Sequence, residues 1–551
     1  MSASKTKFLL PAIGAAVVVA AGVGAYVYFK QGPAGETSPL ASAKLVPDEA
    51  VMTAFISADP KSWAELEKFG TLEAQKLVQK NIKDFQTEML NQTSFSFEND
   101  IQPWLGSVMF AFLPNDPAAK ANNPNVLMVV SIRDKLKAAN FAQKIKAQKG
   151  ATAKEQSYKG VTIAEVTESK GSKPYNFALL GSHLVVSDQR QAIEQAIDTF
   201  KGEPSFAGKE GVKDLLVKGA DVKNPIAQIY LPDYAAAFQQ FAAAGSKAPK
   251  LPSSTLSQLK QVKSAVIGIG VDDAGLRLRA IARLNPEATP MEYKPVPGKV
   301  VAQFPADSTI ALIGGQGLKT VWTTLINQSK TDPSSGLVVS SVRQQLKTIN
   351  LDADQEVFGW MDGEFAFGAI ASTQGLLSNT GFGGAMVIQT NDRKTAESTL
   401  GKLDTLVKGF AATVEQRDVA GKKVTEWKIP TLSPTEALIA HGWLDDKSLF
   451  IAIGGPLVDV IASKPQSALD GSATYKTVTG PLPKPNSAYL YLDMDKMMAL
   501  MTAGPLKAQT GTIPPDTMAI LTSIQGVGMA STQPDKLTSQ FEMLMALKPR
   551  K

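Results

Sequence analysis

Short apolar or alternating runs recur through residues 44–286, and each has the length of a β-strand. β-Branched and aromatic residues alternating with polar ones are typical of strands that bury one face. The runs predict strands at 51–57, 107–113, 126–132, 161–166, 177–187, 226–231 and 265–284. Two of them are interrupted, by Gly181 with Ser182 and by the stretch 271–275, which predicts hairpin turns at both places.

Helical patterning separates some of these strands. Helices are predicted at 62–69, 133–149 and 189–200. The first begins with Ser62 and Glu65, which have the spacing of a capping box. The apolar face predicted for the second consists of Ile132, Leu136, Ala139, Ala142 and Ile145. Strands joined by hairpins, with helices at irregular intervals, predict an α+β fold with largely antiparallel sheets.

The second half of the chain repeats the order of the first half. Six landmarks recur at spacings of 256 to 261 residues, among them Pro47 with Pro305 and Trp104 with Trp360. A near-constant spacing over six landmarks predicts two tandem, related α+β units. The predicted organisation is a first unit at 44–286, a Pro-rich junction at 287–298 and a second unit at 299–551.

The 22 residues of the segment 8–29 carry no charge, and a helix of that length crosses a hydrocarbon core of ~30 Å. Lysines before this segment outnumber the one directly after it, which predicts a cytoplasmic N-terminus at 1–7. A small, polar stretch at 30–43 is predicted to be a flexible linker. We therefore expect a single-pass membrane protein with a signal-anchor helix. The bulk of the chain is then extracytoplasmic, in the periplasm or the thylakoid lumen.

A cleaved signal peptide is the alternative interpretation, with small residues at 21–25 as the cleavage site. The apolar run continues past that site to Phe29, which favours an uncleaved anchor.

The amino-acid composition excludes several kinds of catalytic and metal-binding site. The chain has 551 residues, no cysteine, two histidines and a formal net charge of +6. The missing cysteines exclude disulfides, thiolate metal sites and cysteine nucleophiles, and two histidines argue against a multi-histidine metal centre. Export lowers the expectation of nucleotide-driven or nucleic-acid functions. We therefore predict no cofactor, no metal site and no nucleic-acid partner.

Three stretches carry a resemblance to a known family: LVPDEAVMTAFISADPKSW from Leu45, DIQPWLGSVMFAFLP from Asp100 and LMVVSIRD from Leu127. Together with the N-terminal span, they resemble a family of membrane-anchored proteins of photosynthetic bacteria that is known only as a domain of unknown function. The resemblance implies an anchored, extracytoplasmic location and no assigned reaction. It therefore supplies no catalytic, cofactor-binding or metal-binding residues.

Hydrolase signatures are weak. A serine hydrolase needs a nucleophile, a base and an oxyanion hole, and no G-x-S-x-G motif is present. His183 and His441 are candidate bases, but they are not equivalent in the repeat, and we interpret both as incidental. Ser257 and Lys260 have S-x-x-K spacing without a K-T-G partner, which is typical of a chance match.

Paired carboxylates are the remaining candidates for acid–base chemistry, which requires two of them to face one cleft. The pairs are Asp272 with Asp273, Asp352 with Asp354, Asp445 with Asp446, and Asp493 with Asp495. Their positions favour roles in turns and helix caps, with Asp495 as a possible N-cap.

Two helical patterns have functional alternatives. A methionine stripe with spacing i, i+3, i+4, i+7 is typical of core packing, although methionine clusters can also bind Cu(I): Met494, Met497, Met498 and Met501. The basic residues of the 133–149 helix favour a solvated face and, as the alternative, contact with anionic lipid headgroups: Arg133, Lys135, Lys137, Lys144, Lys146 and Lys149.

The sequence thus predicts a membrane-anchored binding or scaffold module, with the membrane and a possible protein partner as its contacts. Whether the chain is an enzyme stays open, with the balance against it. The alternative is an unrecognised carboxylate-dependent hydrolase with a site between the two halves.

Overall fold

A computed structural model describes the following residues: 36–77, 80, 96–114, 125–146, 152–167, 175–243, 256, 259–287, 294–330, 332–410, 412–433, 435–503, 507 and 513–550. These residues belong to two compact units. The first takes the described residues of Met1–Lys68, Gln75–Asp272 and Leu278–Asn285, and the second those of Phe69–Ala74, Asp273–Arg277 and Pro286–Lys551.

The first unit is built on one β-sheet. Its strands are β1 Met52–Ser57, β2 Leu105–Leu113, β3 Asn125–Ile132, β4 Thr152–Tyr158, β5 Val161–Thr167, β6 Tyr175–Leu180, β7 His183–Ser187, β8 Pro225–Leu231, β9 Val262–Asp272 and β10 Gly275–Leu284. Their order in the sheet is β4-β5-β6-β7-β3-β2-β1-β8-β9-β10, and all neighbours from β4 to β9 are antiparallel.

Helices cover parts of both faces of this sheet. They are α1 Pro39–Ala43, α2 Pro60–Leu66, α3 Lys135–Lys146, α4 Arg190–Phe200, α5 Val212–Lys218 and α6 Tyr234–Ala243. The stripe of α4, Ala192, Ile193, Ala196 and Ile197, is fully buried in the main core together with residues of β1, β2 and β3. On the opposite face α3 packs through Phe141, whose ring stacks on Trp104 at a centroid distance of 5.7 Å.

The second unit has the same strand order. Its strands are β11 Thr309–Gln316, β12 Glu364–Ala371, β13 Phe382–Gln389, β14 Thr413–Val419, β15 Lys422–Lys428, β16 Ile439–Trp443, β17 Ser448–Ile453, β18 Ala488–Asp493, β19 Ile524–Asp535 and β20 Thr538–Leu547. The antiparallel order β14-β15-β16-β17-β13-β12-β11-β18-β19-β20 matches that of the first unit position by position.

The helices of the second unit are α7 Leu318–Ser329, α8 Pro333–Thr348, α9 Arg393–Lys408, α10 Gly455–Ala462, α11 Ala473–Thr479, α12 Met494–Ala503 and α13 Pro515–Ser523. The main core lies between one sheet face and α10 and α11, and includes Phe304, Leu312 and Tyr491. The other face packs on α9 through Ala396 and Leu400. The predicted α+β class with a largely antiparallel sheet is confirmed.

Several local predictions need correction. Helix α2 begins at Pro60, because the Asp59 carboxylate accepts a hydrogen bond from the Lys61 amide at 3.1 Å, so the capping box at Ser62 is wrong. In α3 the buried residues include Ala138 and Phe141, whereas Leu136 is 57% exposed. Ile132 and Ala139 of the predicted apolar face are buried as expected and Leu136 is not, while the side chains of Ala142 and Ile145 lie outside the described part of the chain.

The linker prediction also changes. Ser38 caps α1 by accepting a hydrogen bond from the Ala41 amide at 3.2 Å, and Ser42 and Ala43 are fully buried. Residues 36–43 thus belong to the ordered first unit rather than to a flexible linker.

In the described part of the chain, no helix is both long and apolar enough to cross a membrane. The predicted span at 8–29 lies outside the described residues.

Candidate ligand-binding cavity in the first unit

Four polar residues form a row across the core face of the first sheet. Ser57 on β1 lies opposite Ser107 on β2, Ser107 opposite Ser131 on β3, and Ser131 opposite His183 on β7. Direct partners in antiparallel strands point to the same face. We call these four residues the polar row.

The middle of the polar row is buried and hydrogen-bonded internally. The Oγ atoms of Ser107 and Ser131 are 2.7 Å apart, and both residues are at most 1% exposed. His183 is 6% exposed, and its Nε2 atom has no hydrogen-bond partner among the described atoms. Burial lowers the pKa of His183 to about 4, although the nearby carboxylate of Glu36 opposes this shift. The imidazole is therefore neutral at pH 7.

The segment 36–43 covers the row where it meets Gly106. A Cβ atom added at Gly106 would overlap the Thr37 methyl group and lie 2.6 Å from Ser131 Oγ. The absence of a side chain at Gly106 therefore favours the close approach of this covering segment to β2.

A cavity of about 350 Å³ lies beside the polar row. Its lining comes from the covering segment, from β1, from the ends of β2 and β3, and from the start of β8: Thr37, Pro39, Phe55, Ser57, Asp59, Gly106, Arg133, Pro225, Ile226, Ala227 and Gln228. This volume lies at the lower end of the ~300–1,000 Å³ typical of small-molecule sites. The lining of the cavity combines apolar residues with a comparable share of polar ones.

The second unit places other residues at the same strand positions. Gln316 ends β11 as Ser57 ends β1, and lies opposite Glu364; Ser448 begins β17 as His183 begins β7, and lies opposite Gln389. We call these residues the second row. It is polar as well, but Gln316, Glu364 and Gln389 stand where the first unit has serines.

The second row is hydrogen-bonded to the chain that covers it. Fully buried Glu364 accepts hydrogen bonds from the Lys299 amide at 2.9 Å and the Val300 amide at 3.4 Å. Burial raises the pKa of Glu364, and the backbone hydrogen bonds oppose that rise. The Val296 amide also bonds the Asn486 carbonyl at 2.7 Å, just before β18 begins. In the first unit, the cavity lies between the covering segment and the start of β8.

The two units also differ in the side chains that pack on the sheet beside these rows. The ring of Tyr489 lies over Gly314, where an added Cβ atom would overlap it. The corresponding pair in the first unit is Gln228 opposite Phe55, and both line the cavity. Tyr489 is 8% exposed and belongs to the main core of its unit.

The predicted candidate residues separate into different places. His441 lies on β16 and its Nε2 atom is 2.8 Å from Asp404 Oδ1, which also accepts the Trp427 indole N–H at 2.7 Å. This trio ties α9 to β15 and β16, a structural role. Ser257 of the S-x-x-K match lies outside the described residues.

Most of the paired carboxylates hold local structure. Asp352 accepts the Gln355 amide at the start of a π-helical turn, and Asp445 accepts the amides of Lys447 and Ser448 in a turn. Asp354 accepts the indole N–H of Trp322 at 2.9 Å. Asp352 and Asp445 therefore have the cap and turn roles that the sequence predicts, whereas Asp354 binds side chains of two helices, the Trp322 indole and, through an ion pair at 2.7 Å, Arg343.

For the pair Asp493 and Asp495, the predicted N-cap residue is the wrong one of the two. Asp493 accepts the Lys496 amide at 3.0 Å and so caps α12, whereas Asp495 pairs with Lys548 Nζ at 2.6 Å. The carboxyl pair Asp272 and Asp273 lies at the turn between β9 and β10.

Three of the four stripe methionines belong to a core cluster, the role that the sequence favours, and Met497 is half-buried outside it. Met494 and Met498 are each 7% exposed and pack with Ile524, and Met501 contacts the same cluster. The basic helix is partly neutralised, because Lys144 pairs with Asp100 at 2.8 Å and Lys137 lies 3.6 Å from Asp134.

The polar row was missed by sequence reasoning, except for His183. Its members come from four strands and are adjacent only across the sheet, so no local motif contains them. A usable signal is the serine at or near the end of each of the first three strands, which appears only after the strands are paired.

Comparison with family models gives a match to residues 12–547, described as a protein of unknown function (DUF3352). The chain belongs to the DUF3352 family. Nothing among curated proteins matches this DUF3352 protein.

The solved structures similar to it include three crystal forms of TP0453. Form IV has 10% sequence identity and a TM-score of 0.26, over 44% of this chain and 81% of that one. Forms III and I each have 9% identity and a TM-score of 0.26, over 45% of this chain and 80% of theirs.

Proposed function

We propose that this DUF3352 protein is a membrane-anchored, extracytoplasmic binding protein whose first unit holds a small ligand in its cavity. The single observation that carries the ligand site is the cavity between the covering segment and β8, where the second unit has the Val296–Asn486 hydrogen bond. Support for the anchor comes from the 22 uncharged residues at 8–29 and the charge asymmetry around them.

We also propose that the two units are tandem copies of one ancestral unit. Their ten strands share one order, and matching rows of polar residues lie at the same strand ends. In this account the second unit keeps the covering segment hydrogen-bonded, and the first has exchanged long polar side chains for serines beside a cavity.

Binding is tested with the full chain in detergent and a panel of free amino acids, dipeptides, short carboxylic acids, nucleosides and monosaccharides. Thermal shift detects a binder, because a ligand that binds only the folded state stabilises it. Ser57→Trp places a bulky ring in the cavity and is expected to abolish the shift. Ser57→Gln, which introduces the residue of the second row, is the gentler variant and should weaken it.

The matched control is Gln316→Trp in the second unit, which should leave the shift unchanged. No shift with any panel member would contradict the proposal, as would a shift that persists in Ser57→Trp.

A scaffold role is the second candidate, and an apolar row with two exposed members on the other face of the second sheet favours it. Leu490, Ile313, Phe367, Met386 and Ile451 are successive partners across five strands. Ile313 is 51% and Phe367 41% exposed. Contiguous exposed apolar residues are typical of surfaces that contact another protein.

Crosslinking in native membranes tests this role. Ile313→Lys should remove a specific crosslinked protein that offers its own apolar surface. Ile56→Lys is the matched control, because Ile56 is 40% exposed on β1, the corresponding strand of the first unit. Equal loss in both variants, or no loss in either, would contradict the scaffold role. The carboxylate-dependent hydrolase stays a prediction.

A further inference from the structure

Two opposite charges line the same cavity in the first unit. Asp59 lies on the β1 side, just before α2, and Arg133 directly follows β3. They form no ion pair with each other in the part of the chain that the structure describes, so both remain available to a ligand. We propose that the cavity binds a small zwitterion with an apolar side chain, of the size of an α-amino acid or a dipeptide. This inference rests on the proposed function and specifies its ligand.

The carboxylate end of the ligand is assigned to Arg133. Arg133 Nη2 donates one hydrogen bond to the Gln102 carbonyl at 3.1 Å, which positions the guanidinium. A guanidinium has five N–H donors, and its planar fork matches a carboxylate. The remaining donors of Arg133 suit that group.

Two further residues of the cavity lining, Gln228 and Ser57, offer hydrogen-bond donors that also suit the carboxylate of the ligand. Gln228 Oε1 accepts the hydroxyl of fully buried Tyr230 at 3.0 Å, so the amide NH₂ of Gln228 is the end left to donate. Ser57 Oγ already accepts the Asp59 amide at 3.2 Å, and its O–H remains a donor.

The ammonium end is assigned to Asp59. Its Oδ1 atom accepts the Lys61 amide at 3.1 Å, which fixes the carboxylate at the start of α2. An ionised carboxylate has about four lone-pair sites, so one backbone hydrogen bond leaves capacity for an ammonium group. A simple organic anion would place its charge near Asp59 without compensation, whereas a zwitterion compensates both charges of the cavity.

Apolar residues supply the remaining wall. Phe55 and Ile226 are 6% and 8% exposed, and Pro39 and Pro225 bring rigid rings to the lining. A cavity of 350 Å³ corresponds to about twelve water-sized groups, which suits a ligand of one or two residues. The ligand's side chain therefore packs on Phe55 and Ile226.

The test is equilibrium dialysis of the full chain in detergent at pH 7 with leucine and leucyl-leucine, and with N-acetyl-leucine and leucinamide as probes of each end. Arg133→Gln should weaken leucine binding about tenfold, because a bidentate, charge-assisted contact is lost, and should not further weaken leucinamide. Asp59→Asn keeps a good helix cap and should weaken leucine but not further weaken N-acetyl-leucine. Lys68→Gln, at an exposed lysine beyond the other end of α2, is the control and should change nothing.

The outcomes separate this inference from the proposed function. If neither leucine nor leucyl-leucine binds, while another panel compound binds in a way that Ser57→Trp abolishes, the zwitterion assignment is wrong and the binding function stands. If leucine binds with the same affinity in Arg133→Gln and Asp59→Asn, the assignment is also wrong. If no compound binds at all, both are wrong.

Discussion

The two units use one strand order to build different surroundings for the same row of residues. In the second unit Glu364 and the Val296 amide tie the covering chain to the sheet by hydrogen bonds. In the first unit Ser107 stands at the position of Glu364, and the covering segment packs through Thr37 against Gly106. The same strand order thus has a covering chain held by one buried carboxylate and a backbone hydrogen bond in the second unit, and a cavity at the corresponding place in the first.

The largest effect is expected at Glu364. Glu364→Ser, which introduces the residue of the first row, leaves the Lys299 and Val300 amides without their acceptor. Each unsatisfied buried donor costs ~1–3 kcal/mol, so the free energy of unfolding should fall by about 4 kcal/mol. Denaturant unfolding measures this, and Glu364→Gln, which keeps an acceptor oxygen, should recover most of the loss. If the free energy of unfolding falls by less than about 1 kcal/mol in Glu364→Ser, Glu364 does not hold the covering chain of the second unit.

The next effect concerns His183. With a folded pKa of about 4, below the ordinary unfolded value of ~6.5, the unfolded chain binds the proton more readily. The free energy of unfolding should therefore fall as pH drops from about 6.5 to 4, by up to about 3 kcal/mol from this residue. His183→Gln should remove that part of the pH dependence. If stability still falls by the same amount in the variant, the buried neutral imidazole is not its source.

Gly106 and Gly363 hold corresponding positions in the two units but have different neighbours. A Cβ atom at Gly106 meets the movable side chains of Thr37 and Ser131, whereas one at Gly363, just before β12, meets the backbone carbonyl of Gln389. Gly106→Ala should therefore cost about 1 kcal/mol and Gly363→Ala about 3 kcal/mol of unfolding free energy. Gly471→Ala, with nothing within 4 Å, is the control. The reverse ranking would mean that the covering segment is held more rigidly than its contacts indicate.

The smallest effect is expected at the cap of α1. Ser38→Ala removes the acceptor for the Ala41 amide and should cost ~1 kcal/mol locally. We expect faster hydrogen exchange at the Ala41 amide. Exchange at Val301, next to the Lys299 and Val300 amides that bond Glu364 in the second unit, should stay unchanged. Unchanged exchange at Ala41 would show that packing alone holds the segment.

Sequence patterning was enough for the fold class and for most strands of the first unit. Alternation gave β1, β2, β3 and the hairpin of β6 and β7 around Gly181 to within a few residues. It missed β4, TAKEQSY, because an edge strand with both faces polar carries no alternation signal. It also misplaced the start of α2, since Asp59 and Ser62 are both good caps and only the chain geometry selects one.

The candidate site was hardly predictable. Ser57 and His183 are 126 residues apart in sequence and become neighbours of one row only through the order β1-β2-β3-β7. The polar, small-residue sequence of 36–43 is typical of a linker, yet Ser42 and Ala43 are fully buried in the first unit and Thr37 lies against Gly106 of β2. Both features depend on tertiary contacts that periodicity does not encode.

The stoichiometry of binding shows whether the first unit alone holds a ligand. The panel compound that binds best is dialysed against the full chain, the Ser57→Trp variant and the Gln316→Trp variant. We predict one site per chain, lost in Ser57→Trp and retained in Gln316→Trp. Two sites per chain, or one site that survives Ser57→Trp, would contradict it.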